Sequence, residues 1–158
     1  MSYLPSFIAS SKGPQGVLKP LTRYTLYDDQ SNVLEARAEN GLPTTYIWGY
    51  NKTLLIAKIE NMAYATVNSS LIAAAQTASN TANNEAAVLT ALTNLRNSLP
   101  NALITTYTYK PLVGVSTIID PKGDKATYNY DSLGRLTSVK DKSGYILTLN
   151  NYNYRTQN

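Results

Sequence analysis

The chain contains no cysteine and no histidine. Without thiols there is no disulfide framework, no thiolate chemistry and no record of redox compartment. Without imidazole the commonest general base and metal ligand are missing, so Ser-His-Asp and Cys-His arrangements are excluded. Charged residues make up only 15% of the chain. Its carboxylates are scattered, which excludes a calcium loop of alternating acids, and the neighbours Asp28 and Asp29 read as a solvated turn. Gly residues stand singly instead of clustering into a phosphate-cradling loop. No apolar run reaches the roughly 20 residues of a membrane span. The opening MSYLPSFIASSKGPQG has neither the basic start nor the apolar core of a signal peptide, and the compartment stays open.

What is present is tyrosine: thirteen, against one Phe and one Trp. Tyr has a flat apolar body and a polar tip, which suits sheet faces that are only partly dry. The formal charge is +4, with no long Lys/Arg run. That balance allows loose contact with anions and gives no reason to expect a nucleic-acid partner. At 158 residues the chain is one domain or one piece of a larger array.

The tyrosines are periodic. TYTYKPLVGVSTIIDPKG (106–123) lies over TYNYDSLGRLTSVKDKSG (127–144), a step of 130 − 109 = 21 residues. Tyr109 falls on Tyr130, Leu112 on Leu133, Val115 on Leu136, Asp120 on Asp141 and Gly123 on Gly144. Repeats of this length mark one supersecondary unit stacked many times. YTLYDDQSNVLEARAENG (24–41) separates Tyr27 from Gly41 as Tyr109 is separated from Gly123. A further copy is expected to start at Tyr50, with Ile56 and Ile59 at the offsets of Val115 and Ile118, and YILTLNNYNY (145–154) reads as a last partial copy.

Each copy reads as a hairpin: a Tyr-x-Tyr strand, a turn headed by Asp or Asn, then a second strand ending at Gly. Tyr128 and Tyr130 share a face by alternation. The second-strand apolar pair does not share one, so either a bulge intervenes or both faces are partly covered. Residues 65–106 interrupt the array with no Tyr and only Glu85 and Arg96 as charges. NNEAAVLTALTNLRNSLP (83–100) predicts a helix with Val88, Leu92, Leu95 and Leu99 on one stripe, capped by Asn83 or Asn84 and stopped by Pro100. NSSLIAAAQTAS (68–79) predicts a second helix with Leu71, Ile72 and Ala75 on its apolar side. The expected fold is therefore mainly β, α+β in class. It comprises about five hairpin units in a curved antiparallel sheet with an inserted α-helical hairpin.

The stretch Tyr130-Asp131-Ser132-Leu133-Gly134-Arg135-Leu136 resembles the signature of the YD-repeat, or Rhs-repeat, family, whose units read Tyr-x-Tyr-Asp-x-x-Gly-Arg-Leu with a trailing Gly. Tyr27-Asp28 is a second match. Tyr46-Ile47-Trp48-Gly49-Tyr50-Asn51 and residues 106–114 look like segments of Rhs-type proteins from Bacteroidetes. The pattern departs at Asn51 and Lys110, which stand where Asp is expected, and at Gly114, one position late. The resemblance organises the chain as an N-terminal extension (1–20), YD-type repeats (21–64), a helical insert (65–104), further repeats (105–154) and a tail (155–158).

The motif residues it singles out are Tyr27, Asp28, Gly41, Tyr109, Gly123, Tyr128, Tyr130, Asp131, Gly134, Arg135, Leu136 and Gly144, in structural roles. An Asp131–Arg135 bond across the turn is expected to lock hairpin register. The resemblance implies a non-enzymatic structural module, the wall or terminal segment of a larger toxin-delivery shell or surface protein. It implies no cofactor and no metal, a parent that is often exported, and the rest of that parent or another chain as partner. Exposed strand edges imply self-association. A Tyr-rich face that binds glycan or protein is the alternative. Asp120-Pro121-Lys122-Gly123 also resembles half of an Rhs self-cleavage site. The second half, Asp141-Lys142-Ser143-Gly144, lacks Pro, and the simpler reading makes both ordinary repeat turns.

Overall fold

The computed structural model describes residues 4–10, 19–81 and 84–152. The tail 155–158 and the alternative cap Asn83 lie outside the described residues. The chain is mainly antiparallel β with two helices and divides into two compact units, Met1–Thr105 and Thr106–Asn158.

In the first unit, strands β1 (Phe7–Ser10), β2 (Lys19–Tyr27), β3 (Val33–Ala38), β4 (Pro43–Gly49) and β5 (Leu54–Glu60) pair in chain order, each antiparallel to the next. Regular strand thus begins at Lys19 and includes β1 in the stretch read as an extension. A short 3-10 turn (Tyr64–Thr66) leads into α1 (Ser69–Asn80) and α2 (Glu85–Asn97). Both helices start on an Asn cap: Asn68 accepts from the N–H of Ser70, and Asn84 from that of Ala87, satisfying orphan donors of the first turn. Val88, Leu92 and Leu95 of α2 and Ile72 and Ala75 of α1 are buried against Ile47 of β4 and Ile56, Ala57 and Ile59 of β5. Val67 and Ile104 complete this core, and Leu99, beyond the end of α2, packs on it half-buried.

Strand β6 (Leu103–Lys110) carries the division between the units. In the second unit, β6, β7 (Gly114–Ile119), β8 (Lys125–Tyr130), β9 (Leu136–Lys140) and β10 (Ile146–Leu149) form an antiparallel meander. Among the described residues, its buried side chains are the small polar Thr106, Thr108, Ser116, Thr117 and Ser138. Every residue of β8 is half-buried and every residue of β10 exposed.

The strand registers settle the bulge. Thr108 pairs with Thr117 but Tyr109 with Val115, which leaves Ser116 extra. Asn129 pairs with Ser138 but Tyr130 with Leu136, leaving Thr137 extra. Ile47 pairs with Ala57 but Trp48 with Leu55, leaving Ile56 extra. Tyr27 pairs with Val33 and Leu26 with Glu35, leaving Leu34 extra. One residue is therefore inserted into the second strand of each of these hairpins just after its turn, which switches the face of the side chains that follow; in the β2–β3 pair a second shift leaves Thr25 of β2 extra as well. The same registers correct the copy expected at Tyr50. Trp48, not Tyr50, pairs as Tyr27, Tyr109 and Tyr130 do, and Tyr50 lies in the turn. Trp48 follows Tyr27 by the same step that separates Tyr130 from Tyr109.

Candidate functional site

The side chains with chemistry converge on the ends of the hairpins. At Asp131 the backbone closes a five-residue loop: the N–H of Asp131 donates to Arg135 O and that of Gly134 to Asp131 O, both at 3.0 Å. The Asp131 Oδ1 accepts from the N–H groups of Leu133 (2.9 Å) and Arg135 (3.0 Å). Asp28, Asp120 and Asp141 build the same loop with the same two Oδ1 bonds, to Gln30 and Asn32, Lys122 and Asp124, and Ser143 and Tyr145. The fourth residue is left-handed in all four: Ser31, Gly123, Gly134 and Gly144. A carboxylate that takes two inward-pointing N–H groups fixes such a turn, and a residue without Cβ meets no penalty at the left-handed position. Gly41 holds that position in a fifth loop of the same backbone bonds, with Ala38 at its head and the Asn40 side chain accepting from Leu42 N–H.

The turn after a Tyr strand and the turn before the next are thus one device used at both ends of the sheet. Asp131 adds a side-chain clasp, with Arg135 Nε donating to Oδ2 at 2.7 Å and the second guanidinium nitrogen 2.6 Å away. The Arg135 hydrogen bond, followed by the Arg135 and Leu133 N–H groups, holds the Asp131 carboxyl below the ordinary carboxylate range. Arg135 also stacks over the ring of Tyr152, 4.4 Å from its centroid.

Three aromatic side chains reach back to the hairpin before them. Trp48 Nε1 donates to Val33 O and Tyr130 Oη to Val115 O, both at 2.8 Å. Tyr152 Oη reaches Leu136 O at 3.0 Å. Each acceptor is the residue paired with the preceding anchor, since Val33 faces Tyr27, Val115 faces Tyr109 and Leu136 faces Tyr130. Gly114 makes room for this clamp, because a Cβ there would lie 2.7 Å from the Tyr130 hydroxyl. Tyr27 donates to Pro5 O. Tyr128 pairs with Val139 and makes no such bond among those described.

Two further hairpin loops lack the aspartate and, unlike the Ala38 loop, do not keep its backbone pattern. At Lys110-Pro111-Leu112-Val113 the Val113 N–H still reaches Lys110 O, but the left-handed residue is Leu112, as in a type II turn with Pro at its second place. After Trp48 the aspartate's place is taken by Gly49, and Tyr50, Asn51 and Lys52 are all left-handed. Here α1 supplies the acceptors. Ser79 Oγ receives the N–H of Tyr50 at 3.0 Å and Asn80 Oδ1 that of Asn51 at 2.6 Å, while Gln76 Nε2 donates to Trp48 O at 2.8 Å. A Cβ on Gly49 would lie 2.3 Å from Ser79 Oγ.

The neighbouring Asp28 loop is fastened to this one by Asn32 Nδ2, which donates to Lys52 O at 2.8 Å, and by the Lys52–Asp29 ion pair. Sequence reasoning missed Ser79, Asn80 and Trp48; for Trp48 the signal was its step from Tyr27.

Glu35 was missed as well. Nearly buried on β3, it accepts from Tyr64 N–H (3.0 Å), Thr25 Oγ1 (2.9 Å) and Arg37 Nε (2.9 Å). Burial pushes its carboxyl up, but the bonds from Tyr64, Thr25 and Arg37 outweigh burial and leave it below its ordinary value. The arrangement anchors the start of the helical insert. Among the described residues there is no cluster of three metal-ligating side chains, no buried side-chain nitrogen or oxygen without a partner, and no helix long and apolar enough to cross a membrane.

Residues 114–146, which hold the Asp120, Asp131 and Asp141 loops, match the RHS Repeat family model. The chain carries an Rhs/YD repeat. No curated protein matches the chain. The Rhs repeat so delimited spans the Tyr130–Asp131–Gly134–Arg135–Leu136 signature, the clamp from Tyr130 to Val115 and the bulge at Thr137. Trp48 and the Asp28 loop carry the same geometry outside the matched stretch.

Proposed function

We propose that the chain is a non-enzymatic structural module, a wall or terminal segment of a larger Rhs/YD-repeat protein such as a toxin-delivery shell or a surface protein. The observation that carries this reading is the use made of its functional groups. The loop aspartates are engaged by backbone N–H groups, Arg135 by Asp131, and the tips of Trp48, Tyr130 and Tyr152 by carbonyls of the preceding hairpin. Groups committed to holding register are poor acids, bases or nucleophiles.

The testing experiment is to read the complete gene and its neighbours. Further units at the same step, or a parent with a delivery system, support the module. A reading frame with neither sinks it. Sedimentation of the purified chain tests association through strand edges, and a sharp monomer over a wide concentration range contradicts it. A mass spectrum showing only the intact chain removes self-cleavage at Asp120-Pro121.

A groove of about 450 Å³ in the second unit favours a second reading, a glycan- or protein-binding surface. Tyr128, Ile118, Ala126 and Leu147 form apolar walls, and Asp120, Asp124, Asp141, Lys125 and Lys142 a polar rim. Aromatic and aliphatic walls with a few polar groups are the usual build of a small-molecule site. Glycan-array binding by the wild-type chain that Tyr128→Ala abolishes supports this reading, and an empty array counts against it.

A further inference from the structure

The loop that closes the β3–β4 hairpin reaches its shape by a different route from its sisters. In the loops headed by Asp28, Asp120, Asp131 and Asp141, the head carboxylate takes the N–H of the fifth residue. Ala38 heads this loop and has no acceptor to offer, so the N–H of Leu42 is taken by Asn40 Oδ1 at 3.1 Å. The fourth place is left-handed, and Gly41 fills it with φ +80. Those two demands set Asn40 directly before Gly41. No other asparagine of the chain is followed by Gly.

Three features make this pair reactive. Gly41 has no Cβ to shield its nitrogen, and apart from its chain neighbours nothing lies within 4 Å of the place where one would stand. Asn40 and Gly41 are both exposed, so water reaches them. The bond to Leu42 makes an Asx turn, which folds the carboxamide back over the Asn40–Gly41 peptide and sets its carbon beside the Gly41 nitrogen. One contact opposes: Gly41 N–H donates to Ala38 O at 2.9 Å and must let go first. Opening an exposed turn costs far less than unfolding the whole unit, so the fold slows the chemistry without stopping it.

We propose that Asn40 is a site of spontaneous deamidation and isomerisation through a succinimide. The Gly41 nitrogen, its proton given up to hydroxide, bonds to Asn40 Cγ. The Cγ–Nδ2 bond breaks, and the amide leaves as ammonia with a proton from water. Water then opens the ring. Cleavage of the bond between Cγ and the Gly41 nitrogen yields aspartate at position 40. Cleavage between the Asn40 carbonyl carbon and that nitrogen yields isoaspartate, whose main chain runs through Cβ. The two products act oppositely. Aspartate keeps an oxygen for the N–H of Leu42 and makes that bond charge-assisted, as in the sister loops. Isoaspartate lengthens the main chain by a methylene inside the ring closed by the Ala38 N–H to Leu42 O and Gly41 N–H to Ala38 O bonds. The turn that joins β3 to β4 is then lost.

The test is peptide mapping by mass spectrometry of the full chain, held folded at mildly alkaline pH and, in parallel, unfolded in guanidinium chloride. The folded chain is expected to lose the amide at Asn40 before any other asparagine, with the mass shift of an amide turned to an acid. Isoaspartate is expected to appear there as a methyl acceptor for an isoaspartyl methyltransferase. The pair Ala38→Asp with Asn40→Ser copies the Asp141-Lys142-Ser143-Gly144 loop. It should keep the melting point and accept no methyl group at this loop. An amide retained in the folded chain overturns the proposal, whether the unfolded chain keeps it too or loses it. Loss in the unfolded chain alone would show that the Gly41–Ala38 bond protects the turn. Earlier loss at another asparagine, or conversion to aspartate without isoaspartate, overturns it as well.

Discussion

The two units use one hairpin grammar with opposite means of support. In the first, β4 and β5 bury Ile47, Ile56, Ala57 and Ile59 beneath the helical hairpin, and the helix even closes the turn that lacks its aspartate. In the second, the buried side chains described are Thr and Ser, and the sheet is held by turn clasps and aromatic clamps. A repeat whose fastenings are local and polar tolerates a thin sheet. Where a core is added, the fastenings become replaceable. Gly49 can stand where Asp28 and Asp131 stand because Ser79 and Asn80 bring the acceptors from outside the hairpin.

This contrast can be broken from either side. The largest effect is expected from Leu95→Ala, which opens a cavity in the first unit's core and costs about 2–5 kcal/mol in urea denaturation. Ile118→Ala, on the half-buried face of the second unit, should cost about 1 kcal/mol. Equal losses would mean that the second unit has a core after all.

Next comes Tyr130→Phe, which deletes the clamp to Val115 O and leaves the ring in place. A loss of about 1 kcal/mol is expected, with faster amide exchange in β7 and β8. A variant that melts and exchanges like the wild type would remove the clamp from the account. Leu112→Gly should act in the other direction, raising stability by up to about 1 kcal/mol through relief of the left-handed conformation.

The smallest effect is the acid response of Asp131. Its folded carboxyl titrates below the unfolded one, so the contribution is present above the unfolded value of about 3.9 and fades as pH falls through the folded value. Because the Asp131–Arg135 pair is only part-buried, salt should weaken the effect. Asp131→Asn should flatten the melting-temperature profile below about pH 4; an unchanged profile would show that Asp131 contributes nothing to it.

Much of the fold was legible. The 21-residue step located the hairpins around Tyr109 and Tyr130, and the stripe Val88, Leu92 and Leu95 located α2 with its Asn84 cap. The sequence also posed the right alternative at the second strand, a bulge or two covered faces, but periodicity alone does not count residues on both strands of a pair. For the same reason the periodicity points to Tyr50 as an anchor. Tyr is the commoner anchor, and only the pairing of Trp48 with Leu55 shows which aromatic is in register. That Asp120 and Asp141 head the same loop as Asp131 was half visible in their Gly at the fourth place. The missing half was the backbone itself, whose N–H groups converge on Oδ1 whatever side chains surround them.

By itself the sequence determined what is local and periodic: which residues are tyrosine, where Asp and Gly permit a turn, and where helix caps and stripes lie. These depend on neighbours within a few positions, and short-range physics carries them. The tertiary structure alone decided what depends on partners far along the chain. Ser79 and Asn80 of α1 close a turn 29 positions earlier, and Glu35 holds the N–H of Tyr64. The tips of Trp48, Tyr130 and Tyr152 each find a carbonyl one hairpin back. Such contacts follow from strand register and helix docking, which bring together groups that have no spacing signature.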